Sequence, residues 1–267
     1  MSFLDALDPK YRLILCDVWG VVHDGVSLYA GAERRLREWR EQGRCIALIT
    51  NAPRTAEAVE QQLARIGLTR EAYDFVVTSG EAGIGALKAL GEPVGFVGTE
   101  GDLEILEGRG IRIAEGEQFT DLACTGVTES RPNPSDYRTD LGRWAARSVT
   151  MHCLNPDRMV IRGGVAEACA GAVADLYEDL GGAVTWYGKP YPAIYEHALD
   201  RAGRPGKHEV LAIGDGLQTD ILGAARMGFD AVFVRGGINA GEPFPNDFAC
   251  GNRLGDWEPI AVVDGLG

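Results

Sequence analysis

The sequence predicts an α/β fold in which helices cover a parallel β-sheet. Three observations support this class: short, continuously apolar runs recur along the chain, helical apolar patterns lie between them, and most segments end at a glycine or a polar residue. Continuously apolar runs of this length are typical of strands buried on both faces of a parallel sheet. Strands that alternate with helices indicate βαβ units.

Seven apolar runs predict the strands. In chain order they are residues 12–16, 45–49, 75–77, 94–97, 183–187, 210–213 and 231–234. Four helices with apolar residues at helical spacing lie between or after them, at residues 55–66, 166–180, 192–202 and 220–227. Each predicted helix is followed by a glycine, which is the usual residue just past a helix end.

The middle of the chain has a different pattern. Residues 101–148 are polar and irregular, with Arg131-Pro132-Asn133-Pro134 as a clear loop signal. We expect this stretch to belong to an inserted subdomain. The predicted organisation is a Rossmann-like core of residues 1–80 and 184–267, with an α/β cap of residues 81–183 inserted into it.

Composition and charge narrow the classes of partner. The 267 residues are 45% hydrophobic and 24% charged, which is typical of a globular chain with its own core. The net charge of −13 argues against nucleic acid and anionic membranes as partners. The chain has no C-x-x-C pair, no signal-peptide pattern at its start and no apolar run long enough for a membrane helix. We therefore expect a cytoplasmic protein, with homo-oligomerisation left open.

Polar residues follow four of the predicted strands. They are Asp17, Thr50, Lys189 and Asp215. Because ligands bind at the carboxyl ends of the strands in an open parallel sheet, we expect these side chains to meet at one edge. Two close carboxylates repel unless a cation lies between them, and Mg²⁺ prefers such oxygen ligands together with a phosphate. Thr50 is expected to open a helix whose N-terminus favours an anion. The group predicts metal-dependent phosphoryl transfer.

The order of these residues resembles the haloacid dehalogenase (HAD) superfamily. The segments that carry the resemblance are Asp17-Val18-Trp19-Gly20-Val21, Thr50-Asn51-Ala52-Pro53-Arg54, Lys189-Pro190 and 214–220. The long insertion before Lys189 is similar to that of class IIA of the superfamily, the NagD-like sugar-phosphate, nucleotide and pyridoxal phosphatases. Asn155-Pro156-Asp157 matches a cap-loop pattern of that class.

The resemblance implies a role for each core residue. Asp17 would be the nucleophile and a Mg²⁺ ligand, and the Trp19 carbonyl and the Asp215 carboxylate would complete the protein ligands. Thr50 and Lys189 would hold the phosphoryl group. A further acid, Asp220, would support the metal site or Lys189.

The resemblance also implies which residues contact the rest of the substrate. These are Asn51, Arg54, Asn155 and Asp157. The substrate would be a small phosphorylated metabolite, and the intermediate an aspartyl phosphate.

Trp19 departs from the family pattern, which has a second Asp at this position as general acid and base. Indole does not titrate near neutral pH, and loss of general acid–base help typically costs about 10²–10⁴ in rate. His23, His152 or a metal-bound water are the alternative proton donors, and Trp19 could instead select an aromatic or apolar leaving group. The alternatives to a phosphatase are a HAD-fold binding or regulatory protein and a HAD hydrolase of another bond, such as carbon–halogen or phosphonate.

Overall fold

The computed structural model describes residues 3–162, 165–236 and 243–267. These residues form two compact units. The first comprises Met1–Thr50, Ala56–Val77 and Lys189–Gly267, and the second comprises Asn51–Thr55 and Thr78–Gly188. The chain therefore crosses between the units at Thr50, Thr55, Val77 and Gly188.

The elements follow one another along the chain as follows. The strands within the described ranges are β1 (Leu13–Asp17), β2 (Cys45–Thr50), β3 (Phe75–Thr78), β4 (Gly95–Val97), β5 (Asp121–Cys124), β6 (Thr150–Cys153), β7 (Met159–Arg162), β8 (Val165–Ala168), β9 (Ala183–Trp186), β10 (Val210–Gly214), β11 (Asp230–Val234) and β12 (Ala261–Val263). The α-helices in the same ranges are α1 (Ala32–Glu41), α2 (Ala56–Ile66), α3 (Ser79–Leu90), α4 (Glu100–Gly108), α5 (Arg138–Ala146), α6 (Ala170–Asp179), α7 (Pro192–Arg201), α8 (Leu222–Met227) and α9 (Phe248–Gly251).

The sheet of the first unit has the strand order β12-β11-β10-β1-β2-β3 in the part of the chain that the structure describes. Strand β1 runs parallel to β2 and to β10, with Cys16 opposite Leu48 on one side and Ile213 on the other. Every residue of β1 and β10 is buried, as continuously apolar central strands require. The register brings the carboxyl ends of β1, β2 and β10 to the same edge of the sheet.

Helices α7 and α8 pack their apolar residues onto this sheet. Ile194, Tyr195 and Ala224 are fully buried with the side chains of β10 and β11 in one core cluster. Each fully buried large apolar side chain contributes roughly 1.5–3 kcal/mol to stability. This packing holds the strand ends in fixed positions.

The second unit has its own parallel sheet, with the strand order β4-β5-β6-β9 among the described residues. Strands β7 and β8 form a separate antiparallel hairpin. The core of this unit is built around Tyr177, Leu141 and Met151, which are fully buried. The α/β class that the sequence predicts is confirmed, with a parallel sheet in each unit.

Two predictions for the second unit are wrong in detail. The helix predicted at residues 166–180 begins only at Ala170, because residues Val165–Ala168 pair with β7 instead. The stretch 101–148 is not irregular: it contains α4, β5 and α5. Helix α4 buries only Leu106 and α5 only Leu141 and Trp144, so neither shows a wide apolar stripe.

None of the helices in the described ranges is long and apolar enough to cross a membrane.

A buried arginine on helix α1 forms hydrogen bonds to residues near the N-terminal and C-terminal ends of the first unit. The Arg35 guanidinium donates to the backbone carbonyls of Leu266 (3.1 Å) and Leu4 (3.2 Å) and pairs with Asp5. The neighbouring Arg34 forms an exposed ion pair with Glu38 one turn along the helix. Arg35 thus supplies hydrogen-bond donors to two backbone carbonyls that lie far apart in the sequence.

We expect Arg35→Ala to lower the free energy of unfolding by roughly 2–4 kcal/mol, because the buried guanidinium's hydrogen bonds to two carbonyls and its ion pair with Asp5 are lost. The matched control, Arg34→Ala, removes an exposed ion pair and should cost less than about 0.5 kcal/mol. Urea denaturation of both variants measures the difference. Equal losses would contradict a structural role for the Arg35 contacts.

Candidate active site

Three carboxylates meet at the carboxyl edge of the first unit's sheet. Asp17 ends β1, Asp215 directly follows β10, and Asp220 lies in the turn after it. One oxygen of each carboxylate lies within 4.8 Å of an oxygen of the others, and all three side chains are buried. The parallel pairing of β1 with β10 places Asp17 and Asp215 on neighbouring strand ends.

Lys189 lies among these carboxylates. Its buried ammonium donates to Asp17, to Asp220 Oδ1 (2.7 Å) and to the backbone carbonyl of Ile49 (3.3 Å). Lys189 therefore links the ends of β1 and β2 to the turn that carries Asp220.

Asp220 is held on both of its oxygens. Oδ1 accepts from Lys189, while Oδ2 accepts from the backbone N–H of Gly216 (3.1 Å) and the hydroxyl of Thr219 (3.2 Å). Residues Leu217–Ile221 form one turn of π-helix, which leads directly into α8. This local structure fixes the Asp220 carboxylate against Lys189.

The charges in this cluster strongly affect one another. Burial and the nearby Asp220 carboxylate raise the pKa of Asp17 well above its usual value, although Lys189 opposes that shift. Burial alone would lower the pKa of Lys189, but the carboxylates of Asp17 and Asp220 raise it well above its usual value. Lys189 is therefore protonated at neutral pH, whereas burial and the neighbouring carboxylates oppose ionisation of Asp17.

Thr50 is the last residue of β2 and lies next to the Asp17 end of β1, because Asp17 pairs with Ile49. The expectation that Thr50 opens a helix is wrong. The next helix begins at Ala56, and Pro53 disfavours a helical conformation for Ala52 before it. Thr50 thus lies at the sheet edge without a helix N-terminus behind it.

The chain turns sharply after Asp17 and brings the backbone of Trp19 and Gly20 to the carboxylates. Gly20 has a φ of +90°, and a Cβ built on it would lie 2.2 Å from an oxygen of Asp215. Only glycine permits this approach. The peptide between Trp19 and Gly20 therefore lies beside the Asp215 carboxylate, where a backbone carbonyl can join a metal site.

The Trp19 side chain is held in a defined place. Its indole lies edge-on to the His23 ring, with 5.4 Å between ring centroids. A Cβ on Gly25 would lie 2.3 Å from the indole, so the ring packs directly on the Gly25 backbone. The indole nevertheless remains 41% exposed.

His23 does not fit the role of proton donor. Its buried ring accepts the backbone N–H of Gly25 at Nδ1 (2.8 Å), and burial lowers its pKa. The ring is therefore neutral, with its hydrogen on Nε2, and a neutral imidazole is a weak acid. His23 instead stabilises the loop that carries Trp19.

His152 lies in the second unit, on β6, where both of its ring nitrogens have partners. Nδ1 lies 2.7 Å from the Tyr187 hydroxyl, and Nε2 lies 2.9 Å from Asp121 Oδ1. This buried network joins β5, β6 and the residue after β9. Because both ring nitrogens have partners, His152 serves to hold these strands together.

The second unit also brings together three of the four predicted substrate-binding residues. Asn51 Nδ2 donates to Asp157 Oδ1 (2.8 Å), and the Asp157 N–H donates to Asn155 Oδ1 (3.1 Å). The Ser79 hydroxyl lies 2.7 Å from the Asn51 carbonyl and 2.6 Å from the Leu154 carbonyl. Arg54 is exposed on the same loop, and its carbonyl accepts from the Thr78 hydroxyl.

Sequence reasoning missed Tyr29. This half-buried phenol lies in the first unit, where burial and then the charges of Asp24 and Asp215 raise its pKa. Tyr29 consequently keeps its proton at neutral pH. The sequence gives little signal for it, because a lone tyrosine after a turn is common on protein surfaces.

The arrangement in the first unit suits chemistry on an anionic group. Three carboxylates and one ammonium leave a formal charge of −2 in a buried site, which a divalent cation would neutralise. A carboxylate beside such a cation can attack an electrophilic centre.

Comparisons with known proteins agree with this geometry. Residues 14–112 match the family of haloacid dehalogenase-like hydrolases, and residues 186–256 match a second HAD-hydrolase-like model. The chain is also 25% identical over 229 residues to the ribonucleotide monophosphatase NagD of Escherichia coli K12, covering 85% of this chain and 88% of that protein.

Two solved structures resemble the chain over nearly its whole length. A glycerol phosphate phosphatase of Mycobacterium tuberculosis, solved in complex with magnesium, has a TM-score of 0.72 at 24% identity, covering 96% of this chain and 76% of that one. A hydrolase of the haloacid dehalogenase-like family from Brucella suis 1330 has a TM-score of 0.85 at 36% identity, covering 99% of this chain and 98% of the other. Identity at that level over the full length shows that the chain belongs to the haloacid dehalogenase-like hydrolases.

Proposed function

We propose that the protein is a Mg²⁺-dependent phosphatase of the NagD-like class IIA, which hydrolyses a small phosphorylated metabolite through an aspartyl phosphate. The observation that carries the proposal is the buried cluster of Asp17, Asp215 and Asp220, in which Lys189 pairs with Asp17 and Asp220. The phosphatase names of the relatives from E. coli and M. tuberculosis support it.

The residues of the cluster fit a divalent cation. Asp17 and Asp215 supply buried carboxylates, and the close approach of Gly20 to Asp215 supports the neighbouring Trp19 carbonyl as a third ligand. Asp220 already accepts three hydrogen bonds, so its role is to hold Lys189 and support the site from behind. When bound, Mg²⁺ neutralises excess carboxylate charge and favours the ionised form of Asp17.

Asp17 is the proposed nucleophile. A carboxylate oxygen forms a bond to phosphorus while the bond from phosphorus to the leaving-group oxygen breaks, which yields an aspartyl phosphate and the free leaving group. Water then attacks phosphorus, the bond to the Asp17 oxygen breaks, and inorganic phosphate is released. Lys189 and the Thr50 hydroxyl bind the phosphoryl oxygens at the adjoining strand ends and stabilise the charge on them.

Residues of the second unit are proposed to recognise the remainder of the substrate. Hydrogen bonds link Asn51 to Asp157 and Asp157 to Asn155, and they restrain the two loop segments that carry these residues. The exposed Arg54 adds a positive charge on the segment that carries Asn51. A rigid polar loop suits recognition of a small polar metabolite.

Trp19 supports one alternative function. Because indole cannot donate a titratable proton, a protein with this residue could bind a phosphorylated metabolite and a metal without turning the ester over. A regulatory or binding role is therefore the second candidate.

We expect Asp17→Asn to reduce phosphate release by at least about 10³-fold, because an amide oxygen is a poor nucleophile. The matched control, Asp264→Asn, changes an exposed carboxylate of the same unit and should leave turnover unchanged. Phosphate release from 4-nitrophenyl phosphate with Mg²⁺ measures both variants. Activity of Asp17→Asn near that of the wild type would assign the chemistry to another group.

Mg²⁺ should raise the melting temperature of the metal-free protein, since a ligand at 100 times its dissociation constant stabilises the folded state by about 2.7 kcal/mol. We expect Asp215→Asn to remove most of this rise, because it takes away one of the buried charges. Calorimetry with and without EDTA checks this. Equal Mg²⁺ shifts in the variant and the wild type would place the metal elsewhere.

Without a general acid at residue 19, the basicity of the leaving group should control the rate. We expect acetyl phosphate to be hydrolysed much faster than glycerol phosphate, since acetate departs without protonation. Trp19→Asp should then raise hydrolysis of glycerol phosphate, by up to about 10²–10⁴.

Rapid wild-type hydrolysis of glycerol phosphate would show that another proton donor acts, and Tyr29→Phe would be the next variant. Wild-type protein that binds phosphate and Mg²⁺ yet hydrolyses neither ester would support the binding-protein alternative.

A further inference from the structure

Trp19 differs from the other tryptophans in its exposure. All five lie in the described residues; Trp39 and Trp144 are buried, Trp186 and Trp257 are half-buried, and only Trp19 is exposed. Leaving a large aromatic surface in water is unfavourable. The exposure of Trp19, two residues after Asp17, therefore indicates a role other than packing in the core.

The exposed indole of Trp19 is held in one orientation by its neighbours. One edge of the indole rests on the Gly25 backbone, and His23 meets it edge-on. His23 is itself fixed by the Gly25 N–H, and the backbone N–H of Gly20 donates to the His23 carbonyl (2.9 Å). The loop therefore presents one face of a ring whose orientation is set before any ligand binds.

The residue that carries the ring lies two positions after Asp17, at the edge of the proposed phosphate site. The backbone of Gly20 contacts the Asp215 carboxylate, and consecutive Cα atoms are about 3.8 Å apart. The indole therefore begins next to the carboxylates and extends to Gly25. The loop that carries the indole thus starts at the proposed nucleophile, Asp17, and contacts the Asp215 carboxylate at Gly20.

We propose that Trp19 is a specificity-determining residue that binds the leaving group of the substrate, and that this leaving group carries a flat aromatic ring close to the phosphorylated oxygen. The inference rests on the proposed function and deepens it. A preset aromatic face stacks on another ring without loss of side-chain freedom, whereas an aliphatic polyol finds no polar partners on it.

The test measures binding, so that it does not depend on turnover. Benzylphosphonate and ethylphosphonate carry the same phosphonate head and differ in the ring, and their carbon–phosphorus bond replaces the ester oxygen. Calorimetry with Mg²⁺ gives a dissociation constant for each. We expect the wild type to bind benzylphosphonate about tenfold more tightly than ethylphosphonate.

Two variants of Trp19 and one control variant test whether the indole causes the preference for benzylphosphonate. Trp19→Leu keeps apolar volume but removes the ring, and it should lower the benzyl-to-ethyl ratio to about twofold or less. Trp19→Phe keeps a smaller ring and should retain an intermediate ratio. The control, Val26→Ala, changes another exposed apolar side chain of the same loop, 85% exposed, and should leave the ratio as in the wild type.

The outcomes separate the inference from the proposed function. A wild-type ratio near one, or a ratio that survives in Trp19→Leu, overturns the role of Trp19 while the phosphate site stands. Failure of wild-type protein to bind either phosphonate overturns the proposed function, and the inference falls with it. A ratio that falls in Trp19→Leu and returns in part in Trp19→Phe supports the subsite.

Discussion

The ammonium of Lys189 between the carboxylates of Asp17 and Asp220 is the interaction on which the rest of the site depends. A buried ion pair stabilises a fold only when further hydrogen bonds satisfy its remaining groups. Here the Ile49 carbonyl, the Gly216 N–H and the Thr219 hydroxyl supply them. Each partner comes from the end of a strand or the turn after it, so parallel pairing of β1, β2 and β10 is a requirement of the electrostatics.

Glycine has a specific part in this construction. Gly20 lets the backbone approach the Asp215 carboxylate, and Gly25 lets the indole of Trp19 lie on the main chain. Both glycines have positive φ values, +90° and +97° respectively, which other residues rarely adopt. The loop between them therefore has two functions: it brings polar backbone to the carboxylates, and it orients an aromatic surface nearby.

Much of the first unit could be predicted because its signals are local and strong. Continuous apolar runs located β1, β2 and β10, and the polar residues that follow them are those that the sheet brings together.

The second unit was less predictable. Strand β8 forms through pairing with β7, which overrides the helical pattern of its sequence, and α4 buries only Leu106. The bond between Asn51 and Asp157 joins residues far apart in sequence. The neutral state of His23 depends on a neighbouring peptide N–H that no motif reveals.

The environment of Lys189 has a consequence for its chemical reactivity. A lysine is a nucleophile only as the free amine, and here the carboxylates of Asp17 and Asp220 raise the pKa of Lys189 and keep its amine protonated. Lys10, Lys88 and Lys207 are exposed to solvent by contrast. Acylating agents and aldehydes that modify surface amines would thus spare the one lysine whose charge the site needs. The same contacts that position Lys189 therefore also lower its reactivity as a nucleophile.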